Sequence, residues 1–336
     1  METDGVHTIS DIARLANVSK STVSRALNDS PLIGAETKER IRAIARAHRF
    51  QMNDSARRLS LRQSEVVALV TYPYKAAFSV PDAFMLELMS GISIGLHANG
   101  YDLLVIQVSP KETDWVARYL DSGRVDGFVL LASSCTQSHI DALREAKAPF
   151  IIWGLRPGRH GYCSVSGDSF AGGKLATGHL VRLGRRRIAF LGGPAREIEV
   201  QDRYEGYEAA FQEAGMTVDP ALVAHADYSP ASGAAALRAL LVQAPDLDAV
   251  FVNSDLMAIA AMNELRASGR RVPDDVAVIG YDDIAMAEHS DPPLTTVRQD
   301  APLAGRLLAE NLIEHLRFGT VTNVSIPAEL VLRKSA

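Results

Sequence analysis

The sequence predicts a small all-α domain followed by a large α/β domain with two lobes, each built as a doubly wound parallel sheet. Helical periodicity and polar residues characterise the first sixty residues. From Glu65 onward, short apolar runs alternate with amphipathic segments, and this alternation occurs in two successive sets. With 336 residues, 47% of them hydrophobic, the chain has enough apolar material for two or three domains.

The charge of the chain is unevenly distributed. Residues 1–64 carry 11 Lys and Arg against 7 Asp and Glu, whereas residues 65–336 carry 24 against 33. The first segment is therefore basic, with a net charge of +4, and the rest is acidic, with a net charge of −9. Because an acidic surface repels nucleic acid, we expect any DNA contact in the first sixty residues.

Several classes of protein are not supported by the sequence. Cys135 and Cys163 are too few for a disulfide framework and have no metal-binding spacing. The first ten residues lack the apolar run of a secretory signal, and no apolar run approaches the roughly 18 residues of a membrane span. We expect a cytoplasmic protein without membrane contact, and without a metal or cofactor.

Two short helices joined by a tight turn are predicted near the N-terminus. Residues 8–17 carry apolar side chains at helical spacing behind Thr8 or Ser10, either of which can cap a helix. A second helix follows over residues 21–28, and a third runs over residues 35–48. This arrangement is typical of a helix-turn-helix domain, in which the second helix enters the major groove of DNA. A small helical bundle with a polar face is the alternative.

The second helix carries polar side chains suited to DNA. Arg25 can form a bidentate bond with guanine, and Lys20 can bind guanine or a phosphate, whereas Val23 and Leu27 point inward. Hydroxyl side chains suit phosphate oxygens, which hold the register without reading the sequence. The predicted DNA contacts of this domain are Thr8, Ser19, Lys20, Ser21, Thr22, Ser24, Arg25, Asn28 and Thr37.

These residues form a pattern that closely resembles the lactose-repressor (LacI/GalR) family of bacterial transcription regulators. The pattern is Thr8-Ile-x-Asp-Ile-Ala-x-x-Ala-x-Val-Ser-x-x-Thr-Val-Ser-Arg-x-Leu-Asn28, then Thr37, then Asn53-x-x-Ala-Arg-x-Leu59, and the resemblance continues through the chain. It implies a two-lobed core like that of periplasmic binding proteins. The family usually has proline where this chain has Met52. Because proline fixes its backbone φ angle, the chain that leads into the next segment is expected to be less rigid than in the family.

Residues 53–60 are a helix candidate too short to be stable alone in water. In the family this segment is the hinge helix, which folds on operator DNA and pairs with its dimer mate in the minor groove. The resemblance implies that Leu59 inserts at the central base step and that Ala56 allows close approach to the backbone, with Asn53 also at the DNA. The alternative is an ordinary linker in which Leu59 packs on the core.

Eight apolar runs predict the strands of the core. They cover residues 66–71, 103–108, 127–131 and 150–153 in the first set, and 188–192, 222–226, 249–253 and 276–280 in the second. We predict a helix-turn-helix domain over 1–52, a hinge helix or linker over 53–62 and an effector-binding and dimerisation core over 63–336. The core divides into an N-lobe of 63–164 and 297–325 and a C-lobe of 165–296 and 326–336.

Motifs for catalysis are not evident. The segment at Gly192 and Gly193 lacks the spacing of a nucleotide-binding loop, and the histidines are scattered. The basic run Arg185-Arg-Arg187 is interpreted as a solvated turn between a helix and a strand. The chain is therefore not expected to be an enzyme.

The loops after the strands are expected to bind a ligand, because open α/β sheets bind ligands beyond the carboxyl ends of their strands. The residues found in or near such loops are Tyr72, Trp153, Arg156, Arg203, Tyr228, Asn253, Asp255, Tyr281, Asp282 and Asp283. Aromatic faces stack on sugar C–H groups, and charged groups hold hydroxyls directionally, so this composition favours a sugar over a phosphate ligand.

The family resemblance sharpens this set. It implies that Arg203 is the main hydroxyl clamp, Asp282 a hydroxyl acceptor and Tyr228 a stacking aromatic. Arg203 and Asp282 could instead form a structural ion pair, and Asp255 is partly structural. The predicted effector-binding residues are Arg203, Asp282, Tyr228, Trp153, Phe84, Asn253 and Asp255.

Taken together, the sequence predicts a nucleoid-associated repressor of sugar-catabolism genes, controlled allosterically by a small sugar between the lobes. No leucine heptads follow Arg333, so we expect a homodimer on a pseudo-palindromic operator. Three alternatives stay open: the same regulator with a purine or nucleoside effector stacked on Tyr228, a sugar-binding protein of the periplasmic type without a DNA role, and an enzyme on the same scaffold. The sugar, the sign of its effect and the regulated genes are not predicted.

Overall fold

The computed structural model describes residues 8–48, 50, 63–71, 83–109, 112, 114–133, 135–156 and 161–336. The chain divides into two compact units, Met1–Ser64 and Glu65–Ala336. The predicted hinge residues Asn53, Ala56 and Leu59 lie outside the described residues, as does Tyr72. Within the described part, no helix combines the length and apolar character needed to cross a membrane.

In the described residues of the first unit, three helices surround a small apolar core, as predicted. They are α1 (Ile9–Ala16), α2 (Lys20–Leu27) and α3 (Ala35–Ala47). Ile12, Val23 and Ile41 are fully buried between the helices. Thr8 caps α1 through a reciprocal pair of bonds with Asp11, which satisfies backbone donors at the helix start.

In the described residues of the second unit, two six-stranded sheets have helices on both faces, which confirms the predicted fold class. The first sheet has the order β11-β5-β4-β3-β1-β2 and is parallel throughout, with β1 Val66–Thr71, β2 Asp102–Gln107, β3 Gly127–Leu131, β4 Phe150–Trp153, β5 Cys163–Gly167 and β11 Asn323–Ile326. The second has the order β12-β10-β9-β8-β6-β7, with β6 Ile188–Gly192, β7 Val223–His225, β8 Ala249–Val252, β9 Ala277–Asp282, β10 Thr295–Arg298 and β12 Glu329–Val331. Strand β12 is antiparallel to β10, and the other pairs are parallel.

Helices connect these strands and cover the sheets. Around the first sheet lie α4 (Ala83–His97), α5 (Trp115–Leu120), α6 (Gln137–Glu145) and α12 (Ala301–Phe318); around the second lie α7 (Ser169–Arg182), α8 (Ile198–Glu213), α9 (Pro230–Gln243), α10 (Asp255–Ala267) and α11 (Ala285–His289), with a 3-10 turn at Pro220–Leu222. Apolar clusters fill both faces of each sheet, so each lobe has its own core.

Four strands of the described residues were not predicted: β5, β10, β11 and β12. They are short, and Ser, Thr, Asn or Glu interrupts their apolar character, so the search for continuous apolar runs missed them. These strands lie where the chain passes between the lobes. After β5 the chain enters the second lobe, after β10 it returns to the first, and between β11 and β12 it crosses again.

Helices α7 and α8 pack with their backbones in close approach. A Cβ built on Gly173 would lie 2.1 Å from the carbonyl oxygen of Arg203, and one built on Gly206 would lie 2.1 Å from the carbonyl oxygen of Phe170. Only glycine fits at these two positions, because any side chain would force the helices apart. This contact fixes the position of α8 and therefore of Arg203.

Candidate functional site

Helix α2 presents a polar face to solvent. Lys20, Ser21 and Arg25 are exposed, whereas Val23 and Ala26 are buried against the other two helices. No ion pair of the described residues includes Lys20 or Arg25, so both cations are available to an external anion. This face has the charge and the geometry that a recognition helix needs.

The hydroxyl groups at the start of α2 bond to one another. Ser19 caps the helix by accepting from the backbone N–H of Thr22 at 3.1 Å, and its Oγ lies 2.8 Å from the hydroxyl oxygens of Ser21 and Thr22. Of the other predicted contacts, Asn28 is exposed at the C-cap of α2, while Ser24 and Thr37 are half-buried and the Thr8 hydroxyl donates to Asp11 at 2.7 Å. The hydroxyls at this end are therefore held in place before any ligand binds.

Arg203 is the central buried cation of the second lobe. It projects from α8 and is only 3% exposed. Its Nη1 donates to the backbone oxygen of Asn253 at 2.8 Å, and its guanidinium carbon lies 3.7 Å from the ring centroid of Tyr281, a cation–π contact. Its Nε has no partner among the described residues, and none of their ion pairs includes Arg203.

Asn253 stands directly after β8 and beside Arg203. It is 0% exposed, yet neither its side-chain oxygen nor its side-chain nitrogen has a hydrogen-bond partner in the described part of the chain. A buried polar group without a partner costs about 1–3 kcal/mol, so a ligand group that paired with the Asn253 amide would be favoured. Together the two side chains offer two unpaired donor nitrogens, Arg203 Nε and Asn253 Nδ2, and one unpaired acceptor oxygen, Asn253 Oδ1, among the described residues.

Asp282 and Tyr228 both have left-handed backbone, with φ of 113° and 66°. This conformation is strained for residues other than glycine. Both side chains interact electrostatically with the Arg203 guanidinium. Gln299 donates to Asp282 Oδ1 at 2.9 Å, which orients that carboxylate. The Tyr228 ring lies against Gly193, where an added Cβ would be 2.2 Å from Cζ. Burial raises the pKa of Tyr228 well above its usual value, whereas the charge of Arg203 opposes that rise.

Asp255 is fully buried and already has partners. Thr296 donates its hydroxyl to Oδ1 at 2.5 Å, and the backbone N–H of Ile284 donates to Oδ2 at 2.9 Å. Burial raises the pKa of Asp255 to about 7. Because both carboxylate oxygens are engaged, we expect Asp255 to support the loop that carries Asp282.

Trp153 and Phe84 come from the first lobe. Trp153 ends β4 and is 4% exposed, and its ring centroid lies 5.9 Å from that of Phe84 in a tilted contact. Trp153 borders a crevice between the lobes, whose other lining residues include Tyr281, Gln299, Asp300 and Arg298. Trp153 of the first lobe and the Tyr281 that underlies Arg203 therefore border the same crevice.

Charged contacts join the two lobes beside Arg203. Arg156, in the loop after β4, forms ion pairs with Asp202 and, at 2.6 Å, with Glu205 of α8. Asp202 is 7% exposed, and its hydrogen bond is the main cause that raises the pKa of the Arg156 guanidinium. The Glu199 carboxylate packs on Gly154 of the same loop.

The predicted effector set omits four residues that the structure brings to this region. Arg156 and Tyr281 appeared only among the loop candidates, and Glu197 and Glu199 were not considered. A sequence signal existed for Glu199, which stands four residues before Arg203 and so shares its helix face. The basic run Arg185-Arg-Arg187 is a surface turn, as predicted: Arg187 pairs with Asp219 and Asp246 at 2.8 and 3.1 Å.

A helix-turn-helix with an exposed basic helix, attached to a two-lobed α/β core, defines a DNA-binding transcriptional regulator. Residues 8–53 match the model of bacterial regulatory proteins of the lacI family, and residues 177–336 match that of the periplasmic binding protein-like domain. The HTH-type transcriptional regulator CelR of Thermobifida fusca is 37% identical over 98% of both chains. This protein belongs to the LacI family.

Solved structures agree with that assignment. A structure of the transcriptional regulator CelR in complex with cellobiose matches with a TM-score of 0.75 and 35% identity, covering 98% of this chain and 99% of that one. The lac repressor dimer bound to operator and the anti-inducer ONPF matches with a TM-score of 0.85 and 26% identity over 98% of each chain. The family and fold class predicted from the sequence are thereby confirmed.

Proposed function

We propose that this protein represses sugar-catabolism genes by binding a pseudo-palindromic operator as a homodimer, and that a small sugar bound between its lobes changes its operator affinity. The observation that carries the sugar site is the pair Arg203 and Asn253. The Arg203 Nε and both side-chain polar atoms of Asn253 lack partners within the described residues, and ligand hydroxyls would satisfy them.

The composition of the site supports a sugar over a phosphorylated ligand. Arg203 is the one cation in the predicted effector set, and it faces the carboxylate of Asp282 and the ring of Tyr228. Trp153 and Phe84 supply an aromatic wall from the other lobe. Because the related CelR is described as a cellobiose complex, we propose a glucoside disaccharide, with one ring near Tyr228 and the other near Trp153.

Coupling to DNA would follow from the position of the site. A ligand that contacts Arg203 on one lobe and Trp153 on the other binds one arrangement of the lobes better than another, and that differential affinity shifts the equilibrium between them. The predicted hinge residues Asn53, Ala56 and Leu59 would transmit this shift to the DNA-binding domains.

Fluorescence anisotropy with palindromic DNA from near the gene's own operon tests the proposal. We expect specific binding that is salt-dependent, because phosphate contacts release counterions, and that changes at least about tenfold when cellobiose is added. A panel of glucose, ribose, cellobiose, guanine and adenosine in a thermal-shift assay would identify the effector class.

Two results would contradict the proposal. The absence of specific binding to any of these palindromes would remove the DNA-binding role. Stabilisation by a purine or a nucleoside, with no response to any sugar, would replace the sugar by the alternative effector stacked on Tyr228.

A further inference from the structure

We infer that Glu197 and Glu199 restrict the effector site to uncharged sugars and exclude ligands that carry a carboxylate or a phosphate. The inference rests on the proposed sugar site between the lobes and adds to it a rule of selectivity. The two residues lie in and just before the first turn of α8, ahead of Arg203 on the same helix.

Glu199 stands at the contact between the lobes. Its Oε1 lies 2.3 Å from where a Cβ on Gly154 would be, so its carboxylate rests on the Gly154 backbone of the first lobe. It is also four residues before Arg203, which places the two side chains on one face of the helix. A ligand held by Arg203 across this junction would therefore meet the Glu199 carboxylate.

Glu197 contributes a second carboxylate on the side of Tyr228. Its Oε2 is buried and has no hydrogen-bond partner among the described residues. The Tyr228 hydroxyl and Arg203 both interact with this carboxylate. An acceptor oxygen in this position can take a hydrogen bond from a ligand hydroxyl, as a neutral sugar provides.

Three carboxyl groups interact electrostatically with the Arg203 guanidinium. They belong to Asp282 and Glu199 and to Glu197. Burial is the main cause that raises the pKa of Glu197 to about 7, and the nearby Glu199 carboxyl is the second cause. A ligand anion would add a further like charge to a buried group of carboxylates, whereas a hydroxyl donor would relieve them.

Isothermal titration calorimetry with three disaccharides tests this selectivity on the full-length protein. Cellobiose is neutral, cellobiouronic acid carries a carboxylate on its non-reducing ring, and 4-O-β-glucosyl-glucuronic acid carries one on its reducing-end ring. We expect wild type to bind cellobiose at least about 30-fold more tightly than either acid. Glu197→Gln and Glu199→Gln each replace an ionisable carboxyl group by a neutral amide of similar shape, and we expect each to reduce this ratio at least about fivefold for one of the acids.

Glu208→Gln is the matched control, because Glu208 is an exposed residue of the same helix. It should leave the ratio unchanged. Equal binding of cellobiose and both acids by wild type, or an unchanged ratio in both site variants, would overturn the inference while leaving the sugar site in place. Failure of every neutral sugar to bind would overturn the sugar site and this inference together. Circular dichroism of each variant establishes that it is folded.

Discussion

The recognition helix and the junction of the lobes place their functional groups by different means. At the start of α2, Ser19 bonds to Thr22 three residues away, and Lys20, Ser21 and Arg25, which are predicted to contact DNA, are exposed. At the lobe junction, Arg203 bonds to Asn253 fifty residues away, and both are buried. Local bonds build the first surface, whereas contacts between distant segments build the second.

This difference predicts how each region responds to mutation. An exposed side chain on α2 can be removed with little effect on the apolar core formed by Ile12, Val23 and Ile41. A buried side chain at the lobe junction supports its neighbours as well as the ligand, so its loss should cost both affinity and stability. Substitutions in the two regions can therefore separate effects on DNA recognition from effects on ligand binding.

The largest effect is expected for Arg203→Met. Removal of the guanidinium eliminates a charge-assisted hydrogen bond from the protein to the proposed ligand. We therefore expect cellobiose affinity to fall at least about 100-fold in titration calorimetry. Arg238→Met is the control, because Arg238 lies exposed on the same lobe in an ion pair with Glu264. An Arg203 variant that is folded and binds the sugar normally would contradict the assigned clamp.

Arg25→Ala tests the recognition helix. Loss of a bidentate contact to guanine costs about 1–3 kcal/mol and should relax the preference for one base pair of each half-site. Competition with operators mutated one position at a time measures this preference. Arg14→Ala, on the exposed side of α1, serves as the control. A uniform loss of affinity on all sequences would instead assign Arg25 to phosphate.

Leu59→Ala tests the proposed hinge. An apolar wedge at the central base step supports only the bent, specific complex, so we expect specific binding to weaken about tenfold while non-specific binding changes little. Anisotropy titrations on the operator and on a scrambled duplex compare the two. Equal losses on both duplexes would favour an ordinary linker.

The smallest effect is expected for Arg156→Met, which breaks the ion pairs between the lobes. Because the Arg156 side chain is 40% exposed, salt screens part of this interaction. We expect a change of about threefold in sugar affinity at low salt that shrinks at 0.5 M salt. Arg266→Met, which removes the exposed pair with Asp291 within one lobe, should have no such effect. A salt-independent change would argue for lost packing instead of lost charge.

Much of the fold could be predicted because short runs of neighbouring residues indicate its helices and strands. The runs at Val66–Thr71, Gly127–Leu131 and Ile188–Gly192 have the bounds that the sequence predicted, since fully buried parallel strands consist of continuous apolar residues. The β10 and β11 strands could not be found in this way. β10 has a single strongly apolar residue, Val297, whereas β11 is interrupted by Ser325 and pairs with β5, which lies far earlier in the chain. Arg203 was found through its family motif, whereas Glu197 belongs to no such motif.

The sequence by itself determined the basic charge of residues 1–64, the acidic charge of residues 65–336, the capped helix-turn-helix and the family. Each of these depends on composition or on the spacing of residues close together in the chain. Only the tertiary structure decided that Arg203 rests on Tyr281, that the Asn253 side chain is buried with no hydrogen-bond partner among the described residues and that Arg156 reaches Asp202 from the other lobe. These contacts join segments dozens of residues apart. Their existence depends on how two sheets and three crossings pack together, and no local pattern encodes that.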